Sequence, residues 1–359
     1  MTSAADQIQF LLNIQRLLNG GQFSATYKYA LLTALADLAV ELGNDSGAEM
    51  ELSIRKIAEK VTEYYWRQAA PYTSSGPANG SSVLLQNCDR QAAVIGRVAD
   101  FRKRYGDSLP EARRLGPPWK SLVRGVARII ETMPLWKLQT VGRTTFDFLY
   151  ENRGTGSSIT LRPGVAYCLR QFHGMITELV RSAWLRQVRQ CNQLLLGDTS
   201  DLHGFLFGRD RMNLAPIGSV LRELQNGICF YCARPLRGES YVDHFVPWAM
   251  YPVDLGHNFV LAHQQCNSAK SDHLAAEVHL AAWTGRNSIF GNRLEQEFER
   301  LKVAFSLNAS LQIAAWAYGT TAKAGGMVWV KSNELVGVGQ EWTTLLAGAG
   351  TKATVADPA

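Results

Sequence analysis

The sequence predicts an α+β chain: a mainly α-helical N-terminal domain over residues 1–200, a small metal-stapled module over 201–290, and a short C-terminal extension over 291–359. Three observations predict it. Apolar residues recur at helical spacing through much of the first part of the chain. Cys229, Cys232 and Cys266 fall within 38 residues, and five of the seven histidines (His244, His257, His263, His273, His279) lie in or just after that window. Between the cysteine pairs, Val242–Val246 has strand character.

The first domain is justified element by element. Ile8, Leu11, Leu12, Gln15 and Leu18 give a helical stripe, Gly20-Gly21 breaks it, and Ser24 is placed to cap a second apolar helix ending near residue 42. Asn44 to Gly47 reads as a turn, and a third helix runs from Ser53 to Gln68, ending in Tyr64-Tyr65-Trp66. Pro71 to Ser82 reads as a linker, and residues 83–104 and 119–131 as helices. Phe146 to Tyr150 and Ser158 to Leu161 predict a β-hairpin across Asn152–Gly156. From Val165 one long helix follows, with Phe172, Ile176, Val180, Trp184, Val188, Cys191 and Leu195 as its core stripe. Gly197 to Ser200 closes the unit. Further on, a helix spans about residues 294–317, a Gly-rich tail with tryptophans runs to Trp342, and the final residues from Gly348 to Ala359 read as frayed.

Composition narrows the class. Hydrophobic residues make up 46% and charged residues 19%, enough to bury a core and too few charges for a solvated chain. No apolar run reaches the roughly 18 residues of a membrane helix, and the start lacks the basic residues of a secretion signal. A cytoplasmic protein without membrane association is expected. Six cysteines are too few for a disulfide scaffold, and Cys88, Cys168 and Cys191 stand isolated.

The chemistry concentrates in Cys229-x2-Cys232 and His263-x2-Cys266, separated by 30 residues. Each pair fits a zinc knuckle, in which a tight turn aims two soft ligands at one tetrahedral ion. Together they form a Cys3His set with no position left open for water, the structural kind of Zn²⁺ site. Between them stands a harder set. Asp243 and Asn267 carry oxygen donors suited to Mg²⁺, and an imidazole such as the His244 side chain is a natural base at neutral pH. At mid-strand Asp243 and His244 point to opposite faces, so both serve one site only if the backbone bends there. Taken singly, Asp243 reads as a strand-edge carboxylate and His244 as a core histidine. His257, His273 and His279 read as surface or packing residues, and Asp254 has no assigned role.

The run Asp243-His-Phe-Val-Pro-Trp248, then Asn258, then His263-x-x-Cys266-Asn267-x-x-Lys270 resembles the HNH endonucleases of the ββα-metal (His-Me finger) superfamily. Its last part, Asn267-x-x-Lys270-Ser-Asp272, is also similar to the HNH domain of CRISPR effector nucleases. The resemblance covers residues 226–275. It implies a zinc-stapled ββα nuclease module hydrolysing phosphodiester bonds, with His244 activating water. Asp243 and Asn267 would hold one Mg²⁺, or Mn²⁺ in its place, and Asn258 would orient the loop and the His244 backbone by hydrogen bonds. Asn267 stands where the founding motif has His, and His263 where Cys is usual.

The net charge is +6, and the segment from Arg97 to Arg128 alone carries that excess. Arg102, Lys103, Arg104, Arg113 and Arg114, with Lys270, are the candidate nucleic-acid contacts, set against a solvated helical face. DNA is the expected partner. A compact nuclease module on a large helical domain has the layout of bacterial restriction or anti-phage nucleases, with a homodimer or partner subunits as further expectations. Two rival readings stand beside this one. The first is a zinc-containing nucleic-acid-binding protein that does not cut. The second is a nuclease subunit directed to RNA or gated by a partner.

Overall fold

Ala4–Gly20 (α1) and Tyr27–Leu42 (α2) are the two helices expected before residue 42 in this computed structural model, which describes residues 3–20, 25–73, 81–132, 134–152, 156–196, 201–208 and 213–353. The chain divides into two units, Met1–Gly208 and Arg209–Ala359. Within the first, α2 is buried on every face from Lys28 to Val40, the mark of a central helix. α1 turns a different face inward from the one predicted. Phe10, Ile14 and Leu17 are buried, whereas Ile8 and Leu12 are 60% and 49% exposed. Both sets have helical spacing, and only the packing partner selects between them.

Met50–Ser53 (β1) leads into Ile54–Gln68 (α3), whose cap is Ser53: its Oγ accepts from the Lys56 N–H at 3.2 Å. Tyr65 and Trp66 at the end of α3 are core residues. Tyr72–Thr73 (β2) pairs with Ser81–Ser82 (β3) at the ends of the predicted linker. The middle of that linker lies outside the described residues. So do Ser24, residues 153–155 of the predicted turn, Gly197 to Ser200, and the chain beyond residue 353.

Ala93–Tyr105 (α4), Leu109–Arg114 (α5), Pro117–Thr132 (α6) and Pro134–Lys137 (α7) follow, so residues 83–92 are not helical as expected. Thr140–Val141 (β4) and Thr144–Thr145 (β5) form a small hairpin. The predicted hairpin of 146–150 with 158–161 does not form. Ser158–Leu161 (β6) pairs antiparallel with β1, and Tyr150 keeps only an isolated bridge to Leu161. The buried Gln139 side chain explains this. Its Oε1 accepts from the Leu149 N–H at 2.7 Å and its Nε2 donates to the Tyr150 carbonyl at 2.8 Å, taking backbone groups that a ladder would need. Val165–Gln171 (α8) and His173–Cys191 (α9) replace the single long helix, parting at Phe172; α9 buries Ile176, Val180, Trp184 and Val188 as the stripe predicts. Leu202–Phe207 (α10) ends the unit.

Polar groups lock this core. Asp37 on α2 meets His173 Nε2 on α9 at 2.7 Å and accepts from the Tyr64 hydroxyl on α3 at 2.7 Å. Arg170 donates to the Ala39 and Val40 carbonyls in the last turn of α2, a cation placed at the negative end of that helix. Cys88 and Cys191, expected as isolated thiols, are joined as a disulfide that ties the loop before α4 to the end of α9.

The second unit begins with Ala215–Leu224 (α11). Ser240–His244 (β7) and Phe259–His263 (β8) form an antiparallel pair in which Asp243 faces Val260 and His244 faces Phe259. Gln264–Lys270 (α12) follows β8 without a break. Glu277–Leu301 (α13), Leu307–Lys323 (α14), Met327–Lys331 (β9), Glu334–Gly337 (β10) and Glu341–Ala353 (α15) complete it. The expected division at residue 290 falls inside α13, and the helix predicted over 294–317 is parts of two helices, separated at Lys302 (φ 64°) and restarted by the Ser306 cap. The C-terminal segment is no appendage. The Trp329 N–H donates to the Leu274 carbonyl and its carbonyl accepts from the Ala276 N–H, both at 2.7 Å, while its ring lies against Tyr231 and His279. Among the described residues no helix is long and apolar enough to cross a membrane.

The disulfide closes a loop of about 100 residues, a length for which cross-linking stabilises by a few kcal/mol. Cys88→Ser is expected to lower the unfolding free energy of the oxidised protein by about 2–4 kcal/mol. Urea unfolding with and without dithiothreitol checks it, since reduction brings the parent down to the variant.

Candidate metal centre and the adjoining histidine

The knuckle between α11 and β7 is a tight turn. The Cys229 N–H donates to the Arg234 carbonyl at 2.9 Å, the Ala233 N–H donates to the Cys229 carbonyl at 3.1 Å, and Ala233 adopts φ 53°. The Phe230 N–H donates to the Leu261 carbonyl at 3.0 Å, which docks the knuckle on β8. His263 ends β8 and Cys266 lies in the first turn of α12, so the strand-to-helix corner presents both ligands of the second pair. The ligand atoms of Cys229, Cys232, His263 and Cys266 all lie within 4.8 Å of one another. A tetrahedral Zn²⁺ with bonds near 2.3 Å asks for ligand separations of about 3.8 Å, so the set fits a metal such as zinc.

The surroundings reinforce the fit. His263 Nε2 donates to the Pro235 carbonyl at 3.1 Å, leaving Nδ1, 3.3 Å from Cys232 Sγ, as the metal-facing nitrogen. Burial opposes a Cys229 thiolate, yet the backbone N–H groups of Cys232, His263 and Tyr231 outweigh it and hold the thiol below its ordinary pKa. Cys266 is pushed up to about 12, by burial first and then by the sulfurs of Cys229 and Cys232. Such a crowd of sulfurs is ionised together only around a cation.

Beyond the corner, the structure sorts the predicted catalytic residues differently from the expectation. β7 runs without a bulge, so Asp243 and His244 face opposite sides. Asp243 Oδ2 accepts from the Tyr231 hydroxyl at 2.6 Å and from Lys270 Nζ at 3.0 Å. Lys270 is wholly buried and also donates to the His244 carbonyl at 3.0 Å. Lys270 is therefore no phosphate contact: its ammonium is spent inside the fold. Nor does Asp243 fit the Mg²⁺ role given to it beside Asn267. Its charge is already balanced by a buried cation, and a divalent ion there would meet that ammonium at close range.

On the other face, His244 Nε2 and Asp254 Oδ1 are 2.8 Å apart, with the imidazole boxed between Trp248 and Phe259. Asp254 is the residue sequence reasoning missed. Only its place a few residues before Asn258 hinted at it. An ionised carboxylate only accepts, so the proton sits on Nε2 and the Nδ1 lone pair makes no hydrogen bond among the described residues. Asn258 does orient the loop, although through Val246 and not His244. Its Oδ1 accepts from the Val246 N–H at 2.8 Å and its Nδ2 donates to the Val246 carbonyl at 3.0 Å. From α13, Trp283, Arg286 and Asn287 donate to the His257 carbonyl, and Arg286 also to that of Phe259, so the carbonyls of both residues next to Asn258 are held. Gly256, at the start of this turn, lies against the Phe298 ring, where no Cβ fits.

The basic candidates also divide. Arg102 is engaged by Asp107 and the Trp66 carbonyl, and Arg113 by Glu63, so neither presents a free cation. Lys103, Arg104 and Arg114 are exposed.

Residues 7–202, more than half of the chain and all within the first unit, match the family described as a domain of unknown function (DUF8808). The chain belongs to that family. No curated protein and no solved structure matches it.

Purified protein is expected to carry one zinc per chain. Cys266→Ala or chelation should release it and unfold the second unit, read by metal analysis and limited proteolysis. A separate expectation concerns His257, fully buried between Phe298 and Phe305, whose pKa is lowered to about 3 by burial and by the nearby Arg286. The unfolded chain protonates it near 6.5, so between those values the unfolded state binds more protons. Stability present above pH 6.5 is thus lost as the pH falls towards 3, by up to about 1.4 kcal/mol per unit from this group. Denaturation midpoints across that range should fall less steeply in His257→Phe.

Proposed function

We propose that the second unit is an HNH-type nuclease of the ββα-metal class, hydrolysing phosphodiester bonds in DNA, with His244 as general base and Asp254 as its orienting carboxylate. The observation that carries this reading is the His244–Asp254 pair at 2.8 Å, beside a turn pinned by Asn258. The order β7, β8, α12 supports it, as does the Cys3His corner that fixes the helix to the hairpin.

In this reading Nδ1 of His244 takes a proton from the attacking water, and Asp254 stabilises the imidazolium that results. Asn258 keeps the chain after His244 in register with the turn. A magnesium or manganese ion would stabilise the developing charge in such a reaction. Asp243, held by Tyr231 and Lys270, is not free to be its ligand, and no step is drawn through it. The buried Lys270–Asp243 pair favours a second reading, a zinc-stapled nucleic-acid-binding module that does not cut.

Incubation of supercoiled plasmid with the zinc-loaded chain in Mg²⁺ buffer tests the two. Nicking or linearisation is expected from the parent. His244→Ala should lower the rate by about 10²–10⁴-fold, and Asp254→Asn should also slow it. Cutting that survives His244→Ala would sink the assignment of the base, and a folded chain that binds DNA without cutting would favour the second reading.

A further inference from the structure

We propose that the exposed face of α6, together with Arg97 of α4, is a binding surface for the phosphodiester backbone of a nucleic acid. This goes beyond the nuclease reading, because it gives a role to the first unit; it rests on that reading only for the choice of polyanion.

Lys120, Arg124 and Arg128 stand at successive i, i+4 positions of α6, about 6 Å apart along the axis. All three are exposed, while Trp119, Leu122, Val123, Val126 and Ile130 anchor the opposite side of the helix in the core. The fourth cation comes from the neighbouring helix. Phe101 meets Trp119 and Arg97 reaches Gly125, so α4 and α6 run antiparallel. A Cβ at Gly125 would lie 2.8 Å from Arg97 Nη1: the missing side chain lets the guanidinium rest on the bare helix beside Arg124.

None of the four forms an ion pair or side-chain hydrogen bond among the described residues, in contrast to Arg102 and Arg113, which are tied to Asp107 and Glu63. The acidic side chains closest in sequence are Asp100 on α4 and Glu131 at the end of α6. Like charges at i, i+4 repel one another along a helix. A polyanion laid along the row offsets that repulsion. Each strand of a duplex places one phosphate per about 3.4 Å of helix axis, a line of charge dense enough to offer every cation of the row a partner.

The test is fluorescence anisotropy of a labelled DNA duplex and of an RNA duplex of matched sequence, each titrated with the full zinc-loaded chain. His244→Ala is present throughout so that cleavage does not intrude. In that background Arg124→Ala combined with Arg128→Ala is expected to weaken binding about tenfold or more. It should also make the plot of log K against log salt shallower by about two between roughly 50 and 200 mM. Arg55→Ala, an exposed arginine of α3 paired with Glu59, should change neither. Binding of DNA, RNA or both by the parent, lost in the double variant, supports the surface and names the polymer. Unchanged affinity and slope in a double variant with native circular dichroism overturns it, as does a parent that binds neither duplex. Plasmid cleavage by the chain with native His244 is scored separately, so failure of this surface and failure of the nuclease reading are told apart.

Discussion

Three thiols and an imidazole gathered within 4.8 Å repel one another as thiolates and crowd one another as thiols, unless a cation sits among them. The geometry of the second unit hangs on that constraint. The corner joins the β8-to-α12 turn to the preceding knuckle, and the knuckle carries Tyr231, which donates to Asp243 on β7. Knuckle, strand and helix are thus linked through one cluster. Structural zinc in small modules is worth roughly 10–16 kcal/mol of folding free energy, enough to hold together a two-stranded sheet that would not persist alone.

The module extends well past that cluster. The turn before β8 owes its shape to α13, whose Trp283, Arg286 and Asn287 satisfy the carbonyls around Asn258. The strand β9 places Trp329 against Tyr231. The two faces of β7 then have separate duties. The Asp243 face is closed by a buried ion pair with Lys270, and such a pair contributes specificity of packing more surely than stability. The His244 face holds an imidazole oriented by Asp254, which is what a base needs in the proposed reaction.

In the first unit, membership of the DUF8808 family coincides with a helical body built around α2. Asp37, Tyr64 and His173 are paired across three of its helices. Its basic residues separate by partner. Arg102, Arg113 and Arg170 close contacts within the unit, whereas Lys120, Arg124 and Arg128 remain on an outer face. Sequence counts treat these arginines alike, and only the neighbouring carboxylates and carbonyls distinguish them.

Local rules made the ligand pairs, the third helix from Ser53 to Gln68, the core stripe of α9 and the strand at Val242 legible in the sequence, because each depends on residues a few positions apart. The inward face of α1 and the β1–β6 pairing were not legible, since each is chosen by a partner far along the chain. The union of Cys88 with Cys191 is likewise a pairing across more than a hundred residues. Asp243 shows the same limit inside the motif itself. The sequence by itself determined that a carboxylate, an imidazole and an amide stand near a Cys3His cluster suited to a metal. Tertiary structure decided that Lys270 turns inward to Asp243 and that Asp254 reaches His244, because a buried charge settles on whichever opposite charge or hydrogen-bond donor the packing brings within about 3 Å.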